Sequence, residues 1–265
     1  MNKVIVLTPA YNDWKSLDKL LKEINIYLSK ISKNIEVLIV DDCSNTKFRT
    51  STLQLKNIKK IRVLRLKKNI GSQLAIFIGL KYLKKINSKS TIIVMDSDGE
   101  DDKNAINKMV QLAKNNCEYV VTGNRLQRSE GAMFTILYKM HLLITFLLTG
   151  KYLNFGNFTA FDSKKLKQIL KNTNLSIAYS AGIKKNVKNL LPYYTKRKKR
   201  YFGSSKVSFF FLFKHALNII TVFKKELLNR SIIILLFIYL INLYLKIKFL
   251  FFLLIIIFLF NFLVL

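Results

Sequence analysis

Residues 91–102 read Thr-Ile-Ile-Val-Met-Asp-Ser-Asp-Gly-Glu-Asp-Asp. Five residues suited to a buried strand run straight into a cluster of acids around one glycine. An apolar run of that length, without alternation, fits a strand covered on both faces. The same order occurs twice upstream. Val4–Leu7 leads into Thr8-Pro9-Ala10-Tyr11-Asn12-Asp13, and Ile35–Val40 leads into Asp41-Asp42-Cys43-Ser44. Helical periods separate the runs. Leu17, Leu20, Leu21, Ile24, Leu28 and Ile31 share one face, and Asn12 or Asp13 is placed to cap that helix. Ile61–Leu66 reads as another strand, and Gly71–Lys85 as a helix burying Leu74, Ile78 and Tyr82 or Leu83. A third helix carries Ile106, Met109, Val110 and Ala113 ahead of a strand at Tyr119–Val121. Short buried strands alternating with amphipathic helices predict an α/β domain, its sheet mostly parallel and covered on both faces.

In such a sheet the C-terminal ends of the strands open on one crevice, where ligands bind. Acids following three strands would repel one another there unless a cation joined them. Asp96 and Asp98, two residues apart, can both reach a hard divalent ion such as Mg²⁺ or Mn²⁺, which would neutralise a departing diphosphate. As isolated features these aspartates would read as turn formers and caps; their recurrence after successive strands points to a site. Other nucleotide chemistries lack their signatures. No GxxxxGK[ST] loop is present, and no GxGxxG follows the first strand.

The remaining chain is less regular. Gly131–Leu148 reads as an apolar helix, residues 154–162 (NFGNFTAFD) as a loop entering a strand, and Ser208–Lys225 as an amphipathic helix. Phe209, Phe213, Leu217, Ile220 and Phe223 share one face of that helix, a pattern for the membrane interface. From Ser231 to Leu265 the only charges are Lys246 and Lys248, which predicts membrane-embedded chain. As helices, Ser231–Leu245 and Phe249–Leu265 would span about 22 and 26 Å. A two-helix hairpin with snorkelling lysines is the favoured expectation, and a single tilted span with a re-entrant stretch the other. Net charge is +30, and from Ser163 to Lys225 there are sixteen basic residues and no acid. A cationic block beside an apolar tail suits an anionic leaflet and, by the positive-inside rule, a cytoplasmic domain. No nucleic-acid motif accompanies the charge. The apolar run at the N-terminus is too short for a signal peptide. Cys43 and Cys117 are the only cysteines, too few for a disulfide framework or zinc site. The expected domains are 1–207, a cytoplasmic catalytic domain; 208–228, a juxtamembrane helix; and 229–265, a multi-pass membrane region.

The segments TPAYND, IVDDCSN, NIGSQLA and MDSDGED, followed by GNR, resemble the inverting family 2 glycosyltransferases of the GT-A fold. Among these the chain is similar to polyprenyl-phosphate glycosyltransferases, the branch that includes dolichyl-phosphate mannose synthase. The resemblance covers about residues 3–225 and is strongest over the first 125. It implies a nucleotide-sugar donor (UDP- or GDP-sugar), Mg²⁺ or Mn²⁺, and a polyprenyl phosphate or other lipid-linked acceptor.

By the same resemblance Pro9, Tyr11 and Asp13 border the nucleotide, with Asp13 in place of the more usual Glu. Asp41, Asp42 and Gly71 join them, together with Asp96 and Ser97 of the DxD motif, whose Asp96 and Asp98 bind metal. Gly123 and Arg125 lead toward the acceptor. Arg200 and residues 203–206 (GSSK) match a basic segment near the donor phosphates. Arg125, Arg128, Arg200 and Lys206 are the candidates for the acceptor phosphate. Asn157 stands where the family often has Asp, and the catalytic set is Asp96, Asp98, Asn157 and Arg125. An amide cannot accept a proton, whereas a phosphate acceptor is already anionic and needs positioning more than deprotonation. Transfer to a glycolipid or polysaccharide, and an inactive membrane scaffold, are the rival expectations; a homo-oligomer is left open. His141 reads as packing in an apolar helix, Cys43 as filler behind the nucleotide, and Trp14 as a cover for ligand or core.

Overall fold

The computed structural model describes residues 3–49, 55–125, 132–203, 209–245 and 255–261. In chain order the elements are β1 (Val4–Ala10), α1 (Trp14–Tyr27), β2 (Ile35–Asp41), β3 (Ile58–Arg65), α2 (Ser72–Ile86), β4 (Thr91–Val94), α3 (Lys103–Asn115) and β5 (Val120–Arg125). There follow α4 (Ala132–Thr149), β6 (Phe155–Asp162), α5 (Leu166–Ile169), α6 (Asn174–Ile177), α7 (Tyr179–Asn186), β7 (Leu190–Thr195), α8 (Phe209–Val222) and α9 (Lys224–Leu245). The chain forms two compact units: Met1–Gly131 with Asn154–Lys206, and Ala132–Leu153 with Val207–Leu265.

The first unit is built on a seven-stranded sheet in the order β3-β2-β1-β4-β6-β5-β7. β2 and β4 flank β1 in parallel, and only β6 opposes its neighbours. β1, β2 and β4 are buried at every position, as their unbroken apolar runs require. Alternate residues of β1 serve opposite layers: Val4 and Val6 pack with Leu17, Leu20 and Ile106, and Ile5 and Leu7 with Ile76, Leu80 and Tyr179. The mostly parallel sheet is as expected. Residues 154–162 are not a loop entering a strand; Phe155–Asp162 is strand throughout, inserted antiparallel between β4 and β5. Its alternation explains this, since Phe158 and Ala160 enter one core layer and Phe161 the other.

The second unit is helical. α4 groups with the C-terminal helices, residues 132–153 forming part of the helical unit. Burial on two fronts accounts for this. Leu148 packs with Ile220, Leu227 and Phe260, and Arg230 Nη1 donates to Leu147 O (3.1 Å) at the end of α4. The chain returns beside α9. Ser231 Oγ donates to Asn261 Oδ1 (3.0 Å), and Ile255 and Phe258 line a groove with Ile232, Leu236 and Tyr239. Outward, α4 exposes Met140, Leu143 and Leu147, and α9 exposes Ile232, Ile233, Leu236 and Phe237. Among the described residues no helix is long and apolar enough to cross a membrane; α9 has 22 residues but opens with Lys224, Lys225, Glu226 and Arg230. Lys246 and Lys248 lie outside the described residues, as do Arg128 and Lys206.

Candidate active site

The loops leaving β1 and β2 lock together at the C-terminal edge of the sheet. Asn12 sits at φ +50°; its N–H donates to Ser44 Oγ (2.9 Å), and its Oδ1 accepts from Asn45 N (2.8 Å). Pro9 is buried inside β1, whereas Tyr11 is exposed at the mouth. Trp14 is held by Thr46, its Nε1 donating to the carbonyl and hydroxyl at 3.0 Å each, and by the Phe48 ring at 5.3 Å. Cys43, at φ +63°, donates weakly through Sγ to Lys67 O (3.5 Å).

The two aspartates after β2 do different work. Buried Asp41 accepts from Ser44 N (2.8 Å) and lies 3.7 Å from Arg65 Nε. Both oxygens of Asp42 are committed to backbone: Oδ1 accepts from Ile70 N and Oδ2 from Gly71 N, each at 2.8 Å. Asp42 therefore clamps the turn into α2. Gly71 occupies φ +85° there, a conformation that favours glycine.

The acids after β4 gather around Asp96. Asp101 Oδ2 accepts from Asp96 N (3.0 Å), Asp98 Oδ1 from Glu100 N (3.1 Å), and the Asp102 carboxylate caps α3 at Asn104 N (3.2 Å). Crowding and burial raise proton affinity. Burial, with the charges of Asp96 and Glu100, pushes Asp98 up to about 7. Burial and Asp96 push Asp101 to about 8. Burial also raises Asp96, against the pull of the Asn157 amide and the Arg125 guanidinium.

Asn157, on β6, donates from Nδ2 to Asp96 Oδ1 (2.9 Å) and accepts at Oδ1 from Gln73 Nε2 (3.2 Å). Arg125, at the end of β5, lies against Gly156, where a Cβ would stand 3.0 Å from Nη2. Gly123 leaves room for Phe158 in the same way. The structure thus brings Asp96, Asp98, Asn157 and Arg125 into one place.

Residues 196–203 run across this cluster. Lys198 N donates to Glu100 O and Tyr201 N to Asp98 O, each at 2.9 Å. Arg197 pairs with Glu100. Arg200 spans two loops, with Nη2 2.5 Å from Asp13 Oδ2 and Nη1 3.5 Å from Asp98 Oδ2. Asp13 stands at the N-cap of α1 but makes no capping bond; its carboxylate is turned to Arg200. The Tyr201 ring covers Gly99, held at φ +83°, and its hydroxyl donates to Glu23. His141 belongs to the helical unit, with Nδ1 3.4 Å from Thr145 Oγ1. Asp101, Gln73 and Tyr201 were not anticipated as contributors. Asp101 could have been found in the sequence, as a third aspartate in the same turn.

Among the described residues no group of three or more His, Cys, Asp or Glu side chains is arranged to hold a metal ion by itself. Asp96 and Asp98 are a pair of hard oxygen donors in a crowded anionic pocket. This donor set fits Mg²⁺ or Mn²⁺, which take much of their shell from substrate phosphates and water.

Residues 5–190 match the family model described as glycosyl transferase family 2. The dolichol-phosphate mannosyltransferase of Pyrococcus furiosus is 28% identical over 119 residues, 45% of this chain and 32% of that protein. The undecaprenyl-phosphate 4-deoxy-4-formamido-L-arabinose transferase of Aeromonas hydrophila is 29% identical over 125 residues, 46% of this chain and 37% of that protein. The chain thus spans about a third of the length of these curated relatives. Among solved structures, mannosyl-3-phosphoglycerate synthase of Rubrobacter xylanophilus superposes with TM-score 0.55 at 12% identity, over 87% of this chain and 75% of that one. Glucosyl-3-phosphoglycerate synthase of Mycobacterium tuberculosis, bound to Mn²⁺, UDP and glucosyl-3-phosphoglycerate, gives 0.51 at 13% identity, over 86% and 80%. At that identity the likeness is one of fold.

Proposed function

As the chain belongs to glycosyl transferase family 2 and is a glycosyltransferase, we propose that it moves a sugar from a nucleoside diphosphate to a polyprenyl phosphate at a membrane surface. The observation that carries this reading is Asn157, seated in the acid cluster with its amide committed to Asp96 and Gln73. It can hold a group but cannot take a proton. A hydroxyl acceptor needs a base beside it; a phosphate monoester arrives as an anion. The names of the two polyprenyl-phosphate transferases above agree with such an acceptor.

In this reading the nucleotide lies along the β1 and β2 loops, near Tyr11 and Asp41. Asp96 and Asp98 would hold Mg²⁺ or Mn²⁺, which supplies positive charge to the diphosphate. An oxygen of the acceptor phosphate forms a bond to the anomeric carbon as the bond from that carbon to the diphosphate breaks. The electron pair leaves with the nucleoside diphosphate, and the configuration inverts. Arg125, whose guanidinium already acts on Asp96, would receive the incoming phosphate. Arg200, now paired to Asp13 and Asp98, is poised to exchange those carboxylates for donor phosphate.

The helical unit would supply the membrane contact. α8, within the expected juxtamembrane segment 208–228, and the exposed apolar face of α4 would lie in the interface. The region 229–265 would enter the bilayer as a hairpin, with the sheet unit on the cytoplasmic side. The test is a pair of acceptors. Full-length protein in detergent receives Mn²⁺, radiolabelled UDP- and GDP-sugars, and either polyprenyl phosphate or the free polyprenol. Label should enter the organic phase with the phosphate alone. Equal transfer to the alcohol would overturn the assignment.

A further inference from the structure

Gln73, the second residue of α2, connects the acid cluster to a distant helix through a chain of amides. Its Oε1 accepts from Tyr179 N (2.7 Å), its Nε2 donates to Asn157 Oδ1 (3.2 Å), and Asn157 Nδ2 donates to Asp96 Oδ1 (2.9 Å). Only one orientation of the two amides satisfies all three contacts. Tyr179 opens α7, so its N–H has no partner within that helix and can only donate. The Gln73 oxygen must therefore face Tyr179, which turns its NH₂ toward Asn157. That fixes the Asn157 oxygen on Gln73 and its NH₂ on the carboxylate. Hydrogen-bond direction is dictated from a backbone N–H to Asp96, two side chains away.

We propose that Gln73 is a positioning residue: through Asn157 it holds Asp96 in a fixed orientation for the nucleotide donor and its cation. This rests on the reading of the acid cluster as the donor site. The competing role, a plain cap for α7, uses only Oε1. Outer residues that orient metal-binding side chains change metal affinity by tenfold or more when removed.

Two substitutions separate the roles. Gln73→Glu keeps an oxygen for Tyr179 N but presents a second oxygen to Asn157, which must then turn its own oxygen toward Asp96. Gln73→Met keeps the length and loses both contacts. Mn²⁺ affinity is measured on the full chain by electron paramagnetic resonance with UDP or GDP, whichever the wild type binds, alongside the melting temperature. Gln73→Glu should bind Mn²⁺ about tenfold more weakly with an unchanged melting temperature. Combined with Asn157→Ala, it should add little to the loss from Asn157→Ala alone, because the effect passes through that residue. Wild-type affinity in Gln73→Glu, or a loss found only in Gln73→Met together with a lowered melting temperature, would leave a capping role and overturn the proposal. Losses that multiply in the double variant would also overturn it. A wild-type protein that binds neither nucleotide with Mn²⁺ would bring down the donor-site reading itself, and the proposal with it.

Discussion

Asn157→Asp supplies the residue that the resemblance to family 2 glycosyltransferases leads one to expect there, and in this chain it should impair the enzyme. The substitution is isosteric, so the backbone of β6 has no reason to move. The change is electrical. The Asn157 NH₂ lies 2.9 Å from Asp96 Oδ1, and losing a hydrogen bond to a charged acceptor costs roughly 1.5–3 kcal/mol. Two ionised carboxylates at that separation would repel by about 6 kcal/mol at an effective dielectric of about 20, which a retained proton would largely relieve. Even the smaller term corresponds to roughly a tenfold to hundredfold loss. Transfer to polyprenyl phosphate should fall at least about tenfold as Asp96 loses the hydrogen bond that orients it, and the fold should survive, as circular dichroism would report. Transfer to polyprenyl phosphate that equals or exceeds wild type would refute the reasoning. Position 157 would then take a proton rather than orient Asp96.

Gly99→Ala places a Cβ 2.3 Å from the Tyr201 ring at φ +83°, so it should cost about 1–3 kcal/mol and lower the apparent melting temperature by several degrees; an unchanged melt would contradict this packing. In chelator, stability should fall as pH rises from about 4 to 8. Asp98 at about 7 and Asp101 at about 8 hold protons that the unfolded chain, at 3.8, has released. The native state therefore binds more protons, and the stabilisation is complete only below the unfolded value; melts at pH 5 and 8 that coincide would count against it. Leu143→Glu with Leu147→Glu, on the exposed face of α4, should reduce flotation with anionic vesicles. Each buried leucine is worth roughly 1.5–3 kcal/mol, and nucleotide binding should persist. Undiminished flotation would place the membrane contact elsewhere.

The central sheet was legible because burial on both faces leaves continuous apolar runs, as in Ile35–Val40 and Thr91–Met95, each ending at the acids that mark the crevice. β6 was harder. Gly156 and Asn157 read as loop residues, because Gly156 is there to clear Arg125 and Asn157 to reach Asp96. Neither reason is visible without the fold. The same holds for Asp13, whose position says helix cap but whose carboxylate is claimed by Arg200, 187 residues later. Asp42 read like Asp41 in sequence, yet its two oxygens clamp Ile70 and Gly71. α4 was recognisable as an apolar helix; its association with α8 and α9 is a long-range packing choice that no local pattern encodes.

The most direct test of donor chemistry at Asp96 and Asp98 is transfer by membranes carrying the wild type or Asp98→Ala, with Mn²⁺, radiolabelled UDP- and GDP-sugars and polyprenyl phosphate. Wild type should move label from one donor into the lipid phase and stop when the cation is chelated, and Asp98→Ala should leave the lipid unlabelled while remaining folded. Labelled lipid formed by Asp98→Ala at the wild-type rate would contradict the account.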